Sequence, residues 1–206
     1  MDKKFENNLQ NFFSLHSLQK YKKGQIIIKP GEKPDFVGFI KSGYVRVYTL
    51  NESGQEITMS FFKPVLYFTT IYAMTGNTNK FYFEAITPVE LWTAPIEDFM
   101  GYCKQNTEVS KAMMNKISNL FLNLVENTGR LLAGDSLSKV AMTVLSVSEG
   151  KADFALTHKM IASLTGLTRE TVTLQMLKLE KLKLIDNKNR KVVILNLEGL
   201  EKVISK

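Results

Sequence analysis

A chain of 206 residues, 44% hydrophobic and 23% charged, has the composition of a soluble globular protein with room for one large domain or two small ones. Its formal charge of +7 is uneven: residues 138–206 carry 12 Lys/Arg against 7 Asp/Glu, and residues 1–137 carry 15 against 13. A single cysteine, Cys103, rules out an internal disulfide or a Cys-ligated cluster, and no apolar run approaches the ~18 residues of a membrane span.

The start, MDKKFENNLQNFF, has no sustained apolar segment, which argues against a secretory signal and for a cytoplasmic protein. Its spacing predicts a helix over residues 3–14. From residue 20 to 95 the period changes. QIIIK (25–29), FVGFI (36–40), YVRVYTL (44–50), EITMSFF (56–62), KFYFEAI (80–86) and VELWTA (89–94) are rich in β-branched and aromatic residues. Val45 and Val47 alternate with Tyr44, Arg46 and Tyr48, and Ile57, Met59 and Phe61 alternate with Thr58 and Ser60. Gly24, Gly31, Gly43, Gly54 and Gly76 punctuate these runs, so an antiparallel barrel or jelly roll is predicted. Tyr67, Phe68, Tyr82 and Trp92 are either barrel core or the lining of a hydrophobic pocket, with Leu124 a further candidate.

A helical period returns near Ile96. Over residues 108–132, Met113, Ile117, Leu120, Leu124, Asn127 and Leu131 step by four, three, four, three and four. That is a heptad seam with one polar register residue, as in a two-stranded dimer interface. The plainer reading is a helix lying on its own barrel, and Phe121, Leu122 and Val125 beside the seam suit such a flank. Gly134 would end the helix, Asp135 would cap another over 137–148, and Gly150 would stop it. The expected division is therefore 1–107, a β domain; 108–134, a dimerisation helix and hinge; and 135–206, the basic third.

Residues 157–185 read as two short helices joined by a tight turn. Thr157 caps the first, whose apolar positions are Met160, Ile161 and Leu164. Ala162 is small where a second helix would cross closely, and Gly166 supplies the turn. Thr168 caps the second helix, with Val172, Met176, Leu179 and Leu182 as its buried stripe. Arg169, Glu170 and Thr173 fall outside that stripe near the helix start, where a helix-turn-helix presents base-reading side chains. An ordinary helical hairpin is the bland alternative. Beyond it, LIDNKNRKVVILNL reads as strand, basic turn and strand, and Lys188, Arg190 and Lys191 make a wing suited to phosphates, or merely a solvated tip. His16 and His158 lack metal-ligand spacing and read as surface or capping residues. No Ser/His/Asp or Cys/His set, carboxylate pair or metal cluster can be placed, so no enzyme and no cofactor are expected.

The order of β domain, long helix, hinge and winged helix-turn-helix resembles the cyclic-AMP receptor protein/FNR family of bacterial transcription regulators. K-K-G-Q (22–25), P-G-E (30–32), F-I-K-S-G-Y-V-R-V-Y (39–48) and S-G-Q-E (53–56) carry the resemblance in the barrel. G-L-T-R-E-T-V-T (166–173) and L-E-K-L-K-L-I (179–185) carry it in the DNA-binding part. The resemblance implies an α+β fold, a homodimer, a pseudo-palindromic double-stranded DNA operator and a contact with RNA polymerase. Thr168, Thr173, Lys178, Arg190 and Lys191 would hold phosphates, and Arg169 and Glu170 would read base edges.

Four departures stand out. Cyclic-nucleotide binders carry a G-E-L cassette followed later by R-S; here Lys63-Pro64-Val65-Leu66-Tyr67-Phe68-Thr69-Thr70 and Asn79-Lys80 stand in those places. Leu124 and Val125 replace a polar pair, and the FNR cysteines are absent. Cyclic AMP is therefore not expected as effector, which leaves an apolar molecule, a protein or nothing. Leu174 occupies the place of a second reading Arg, so a bidentate guanine contact is lost and a thymine methyl becomes a possible partner. A sensor or protein-interaction module whose DNA binding has decayed is the alternative function.

Overall fold

The computed structural model describes residues 3–64, 67–148, 156–188 and 191–205. Residues 1–49 and 60–122 form one compact unit; residues 50–59 and 123–206 form a second.

Helix α1 (Lys3–Ser14) opens the first unit. Eight strands follow: β1 (Ser17–Tyr21), β2 (Ile26–Ile28), β3 (Phe36–Ser42), β4 (Val45–Leu50), β5 (Glu56–Phe62), β6 (Tyr67–Phe68), β7 (Tyr82–Ala85) and β8 (Val89–Pro95). A short α2 (Thr70–Thr75) separates β6 from β7. The strands pair as two four-stranded sheets, β1-β8-β3-β6 and β2-β7-β4-β5. This is the jelly-roll form of the expected β domain; the sheets do not close into a barrel. Side chains alternate across each strand, so neighbours on β3 feed different cores. Ile40 joins Val45, Val47, Phe68, Phe83 and Leu91, while Phe39 joins Phe13, Tyr67, Phe99 and Val109. Gly43, at φ +86°, makes the β3–β4 turn, where a Cβ would fall 2.2 Å from the Pro88 carbonyl oxygen.

Strand β5 faces the opposite way from its apolar alternation. Thr58 is buried, while Ile57 and Met59 are exposed. The inward hydroxyl is satisfied by Ser163 Oγ at 2.6 Å, which removes the cost of burying it.

Helix α3 (Ile96–Gln105) and the 27-residue α4 (Thr107–Ala133) complete the run of helices before the basic third. Then come α5 (Ser136–Ser148), α6 (His158–Thr165), α7 (Arg169–Lys181), strands β9 (Ile185–Lys188) and β10 (Lys191–Ile194), and α8 (Leu197–Ile204). Asp135 caps α5 by accepting from the Ser138 N–H at 2.8 Å; Gly150 lies outside the described residues. Ile161 of α6, Val172, Met176 and Leu179 of α7, Val140, Ala141 and Val144 of α5, and Leu200 of α8 are buried together with Leu184 and Ile185. Helix α8 follows the wing, beyond the expected strand, turn and strand. Asn196 caps it by accepting from the Gly199 N–H at 2.9 Å, and Ser138 Oγ on α5 donates to the Val203 carbonyl at 2.9 Å. Among the described residues no helix is long and apolar enough to cross a membrane.

Candidate nucleic-acid interface

The two-helix element is built by local chemistry. Thr157 accepts from the Met160 N–H at 3.2 Å and starts α6. Gly166 stops it in the left-handed region, at φ 70° and ψ 11°, with its N–H on the Ala162 carbonyl. Two residues later the Thr168 hydroxyl accepts from the Thr171 N–H at 3.2 Å and starts α7. Arg169 and Glu170 are thus the first two residues of a capped helix, and both are exposed.

Val172, Met176 and Leu179 are buried, as their spacing requires. Leu182, assigned to the same stripe, is exposed instead, because α7 ends at Lys181 and the next buried positions are Leu184 and Ile185. The opposite face of α7 presents Glu170, Leu174, Leu177, Lys178 and Lys181 to solvent.

Thr173 has a second task. Its hydroxyl donates to the Arg169 carbonyl at 2.9 Å and lies 2.9 Å from His158 Nδ1. His158 is the first residue of α6, so this bond joins the starts of the two helices. The His158 and Thr173 partnership has no local sequence signal, since the two lie in different helices.

In the wing, Lys191 pairs with Lys188 across β9 and β10. Arg190 lies outside the described residues, as do the side chains of Lys188 and Lys191. Residues 50–59 pack within this second unit, where Glu56 meets Lys159 at 3.8 Å.

Helix α4 divides along its length. Met113, counted with the seam, packs in the chain's own core beside Val109 and Phe99, with its sulfur 3.6 Å from Cys103 Sγ. Beyond it, Met114, Ile117, Leu120, Phe121, Leu122, Leu124 and Val125 are all exposed, so the flank expected to lie on the β domain faces solvent. The side chains of Asn127 and Leu131 lie outside the described residues.

The aromatic candidates for an effector pocket are not brought together. Tyr67 is buried in one core, with Trp92 packed against it. Phe68 is buried in the other, stacked on Phe83 at 5.4 Å. Tyr82 stacks on Tyr48 at 4.9 Å. Burial raises the phenol of Tyr67 far above its ordinary range.

Residues 18–106 match the family model of the cyclic nucleotide-binding domain, and residues 128–203 match that of the Crp-like helix-turn-helix domain. The chain belongs to the cyclic-AMP receptor protein/FNR family. It is a transcription regulator of that type, and its helix-turn-helix is the DNA-binding domain. The global nitrogen regulator of Nostoc sp. is 28% identical over 188 residues, spanning 86% of this chain and 84% of that protein. A CRP/FNR-family regulator from Thermus thermophilus shares the fold with a TM-score of 0.75 at 23% identity, covering 92% of this chain and 99% of its own. FixK2 from Bradyrhizobium japonicum does so with a TM-score of 0.80 at 20% identity, over 91% and 96%.

Within this CRP/FNR regulator, the position matched to the phosphate-binding Arg is structural. Asn79 is 1% exposed. Its amide nitrogen donates to the carbonyls of Lys29 at 2.9 Å and Phe81 at 2.5 Å, and its side-chain oxygen accepts from the Phe81 N–H at 3.1 Å. Every one of those bonds ties down a neighbouring loop. Of the matched cassette, Val65 and Leu66 lie outside the described residues, and Thr69 adopts φ 68° with its hydroxyl on the Phe36 carbonyl at 2.6 Å.

Proposed function

We propose that the chain acts as a homodimer, joined along α4, that sets two α7 helices into successive major grooves of a pseudo-palindromic operator. The observation that carries this reading is the exposed Arg169–Glu170 pair on the first turn of a doubly capped helix-turn-helix. Arg169 suits guanine O6 and N7, and Glu170 accepts from cytosine N4. Lys178, with Arg190 and Lys191 of the wing, holds phosphates. Thr168 and Thr173 face the backbone while their hydroxyls set the helix geometry. Leu174 lies in the same groove.

The apolar face of α4 supports the dimer. Ile117, Leu120 and Leu124 follow the heptad steps of three and four, and an exposed stripe of that size on a lone helix is costly unless a second copy covers it. In this division residues 1–107 sense, 108–134 join the copies and 135–206 bind DNA. A contact with RNA polymerase follows from the family's role, and the protein acts by binding rather than by catalysis.

Cyclic AMP is not the effector in this reading. The Arg that would pair with its phosphate is replaced by Asn79, whose amide is committed to backbone carbonyls. Phe62, Phe68 and Phe83 pack against one another between the sheets. An anion there would lose its water without gaining a cation. An apolar molecule, a protein or no effector fits these residues better.

A mobility-shift assay of the full-length protein on its own upstream region tests the reading. A discrete complex that survives competitor DNA supports it. Binding that competitor removes entirely supports a decayed DNA function instead.

A further inference from the structure

The outer face of α7 carries a feature that base reading by Arg169 and Glu170 leaves unused. Opposite the buried Val172, Met176 and Leu179, the solvent-facing stripe runs Glu170, Leu174, Leu177, Lys181, at steps of four, three and four. Leu174 is 64% exposed and Leu177 49%. Two adjacent leucines therefore occupy the centre of the face that enters DNA. Charged residues bracket them: Arg169 and Glu170 at one end, Lys178 and Lys181 at the other. A solvated helix face would be polar throughout, and an apolar docking site for a protein would not be ringed by the cations that suit a polyanion.

We propose that Leu174 and Leu177 read thymine methyl groups, so that each half-site carries A·T base pairs about two and three steps from the G·C pair read by Arg169 and Glu170. This inference rests on the DNA-binding reading given above. The chemistry follows from the major-groove edge. Only thymine presents a methyl there, and an aliphatic side chain recognises it by excluding water from both apolar surfaces. Leucine offers no donor or acceptor, so it leaves the polar edges of G and C unpaired and discriminates against both. Leu174 lies about 6 Å along the helix axis from Glu170, at ~1.5 Å per residue. That is close to two base-pair steps of ~3.4 Å, and Leu177 extends the strip by one further step.

The test uses the full-length protein and operators recovered from a randomised duplex pool. Each thymine of the half-site is replaced singly by deoxyuridine, which removes the methyl and preserves every hydrogen bond. We expect one or two such replacements to weaken binding about three- to fivefold, the worth of one buried methyl group. That sensitivity should vanish with Leu174→Ala or Leu177→Ala while remaining with Arg169→Ala. Both leucines are exposed, so circular dichroism melts of these variants should match wild type. The inference is overturned if every uracil operator binds like its thymine parent, or if Leu174→Ala and Leu177→Ala both keep the full uracil penalty. Failure to recover any selective operator would overturn it together with the DNA-binding reading, an outcome distinct from selective binding that ignores uracil.

Discussion

The imidazole of His158 and the hydroxyl of Thr173 lie 2.9 Å apart and join the first turns of the two helices that form the DNA-binding element. Thr173 has one proton, and it donates that proton to the Arg169 carbonyl at 2.9 Å. With its proton on the Arg169 carbonyl, the hydroxyl is left to accept from an imidazole that carries hydrogen on Nδ1. The chain of bonds runs from the start of α6 to the backbone of Arg169, the residue proposed to read guanine. In a double-mutant cycle, His158→Ala and Thr173→Val should show a coupling of ~0.5–1.5 kcal/mol in urea unfolding. Additive effects would mean that the two helices are held by apolar packing alone.

The proposed α4 dimer makes a second expectation. Leu120→Glu would place a carboxylate beside its symmetry mate at the centre of the α4 stripe, at a cost of several kcal/mol. Sedimentation at micromolar concentration without DNA should find a wild-type dimer and a monomeric, folded variant. A wild-type monomer would contradict the α4 interface.

Much of this arrangement is legible in the sequence where the cause is local. Thr157, Gly166 and Thr168 announce the helix-turn-helix because caps and left-handed turns depend on a few adjacent residues. Asp135 likewise marks the start of α5. Where a distant partner decides the outcome, the pattern misleads. Thr58 turns inward on β5 because Ser163, 105 residues away, satisfies its hydroxyl. Met113 continues the heptad spacing of α4 yet belongs to the core of the β domain, since Cys103 and Phe99 reach it first. Asn79 gives no sign in sequence that its amide is the clip of a loop. Helix α8, Leu197–Ile204, is as long as α6 and has the Asn196 cap to mark it, so its signal too is local and present in the sequence.

Asn79 can be tested in two ways. Asn79→Ala leaves the Lys29 and Phe81 carbonyls without their buried donor and should cost ~1–3 kcal/mol in denaturant unfolding. Isothermal titration of the wild type with cyclic AMP or cyclic GMP should show no saturable heat. Micromolar binding abolished by Lys80→Ala would show instead that Lys80 replaces the missing Arg.

A pH dependence follows from the cap of α5. The Ser138 and Leu137 backbone N–H groups hold the Asp135 carboxyl below its ordinary range, aided by the charge of Lys178. A carboxylate depressed in the folded state adds stability above its unfolded pKa and loses it as pH falls through the folded value. Asp135→Asn keeps a capping acceptor without titrating. It should melt below wild type at pH 7, with the gap closing as pH falls below the ordinary carboxylate range, whereas Asp135→Ala should lose about 1 kcal/mol at pH 7. Parallel wild-type and Asp135→Asn melting across that range would remove the charge from the account.

The most direct measurement is selection of operators from a randomised duplex pool by the full-length protein, run in parallel with Arg169→Ala. Wild type should enrich a pseudo-palindrome whose half-sites lie about 10–10.5 base pairs apart or a multiple of it, each with a fixed G·C pair. Arg169→Ala should lose preference at that pair alone, worth ~1–3 kcal/mol of discrimination. Enrichment of an asymmetric site, or an unchanged G·C preference with Arg169→Ala, would contradict a dimer that reads DNA through the start of α7.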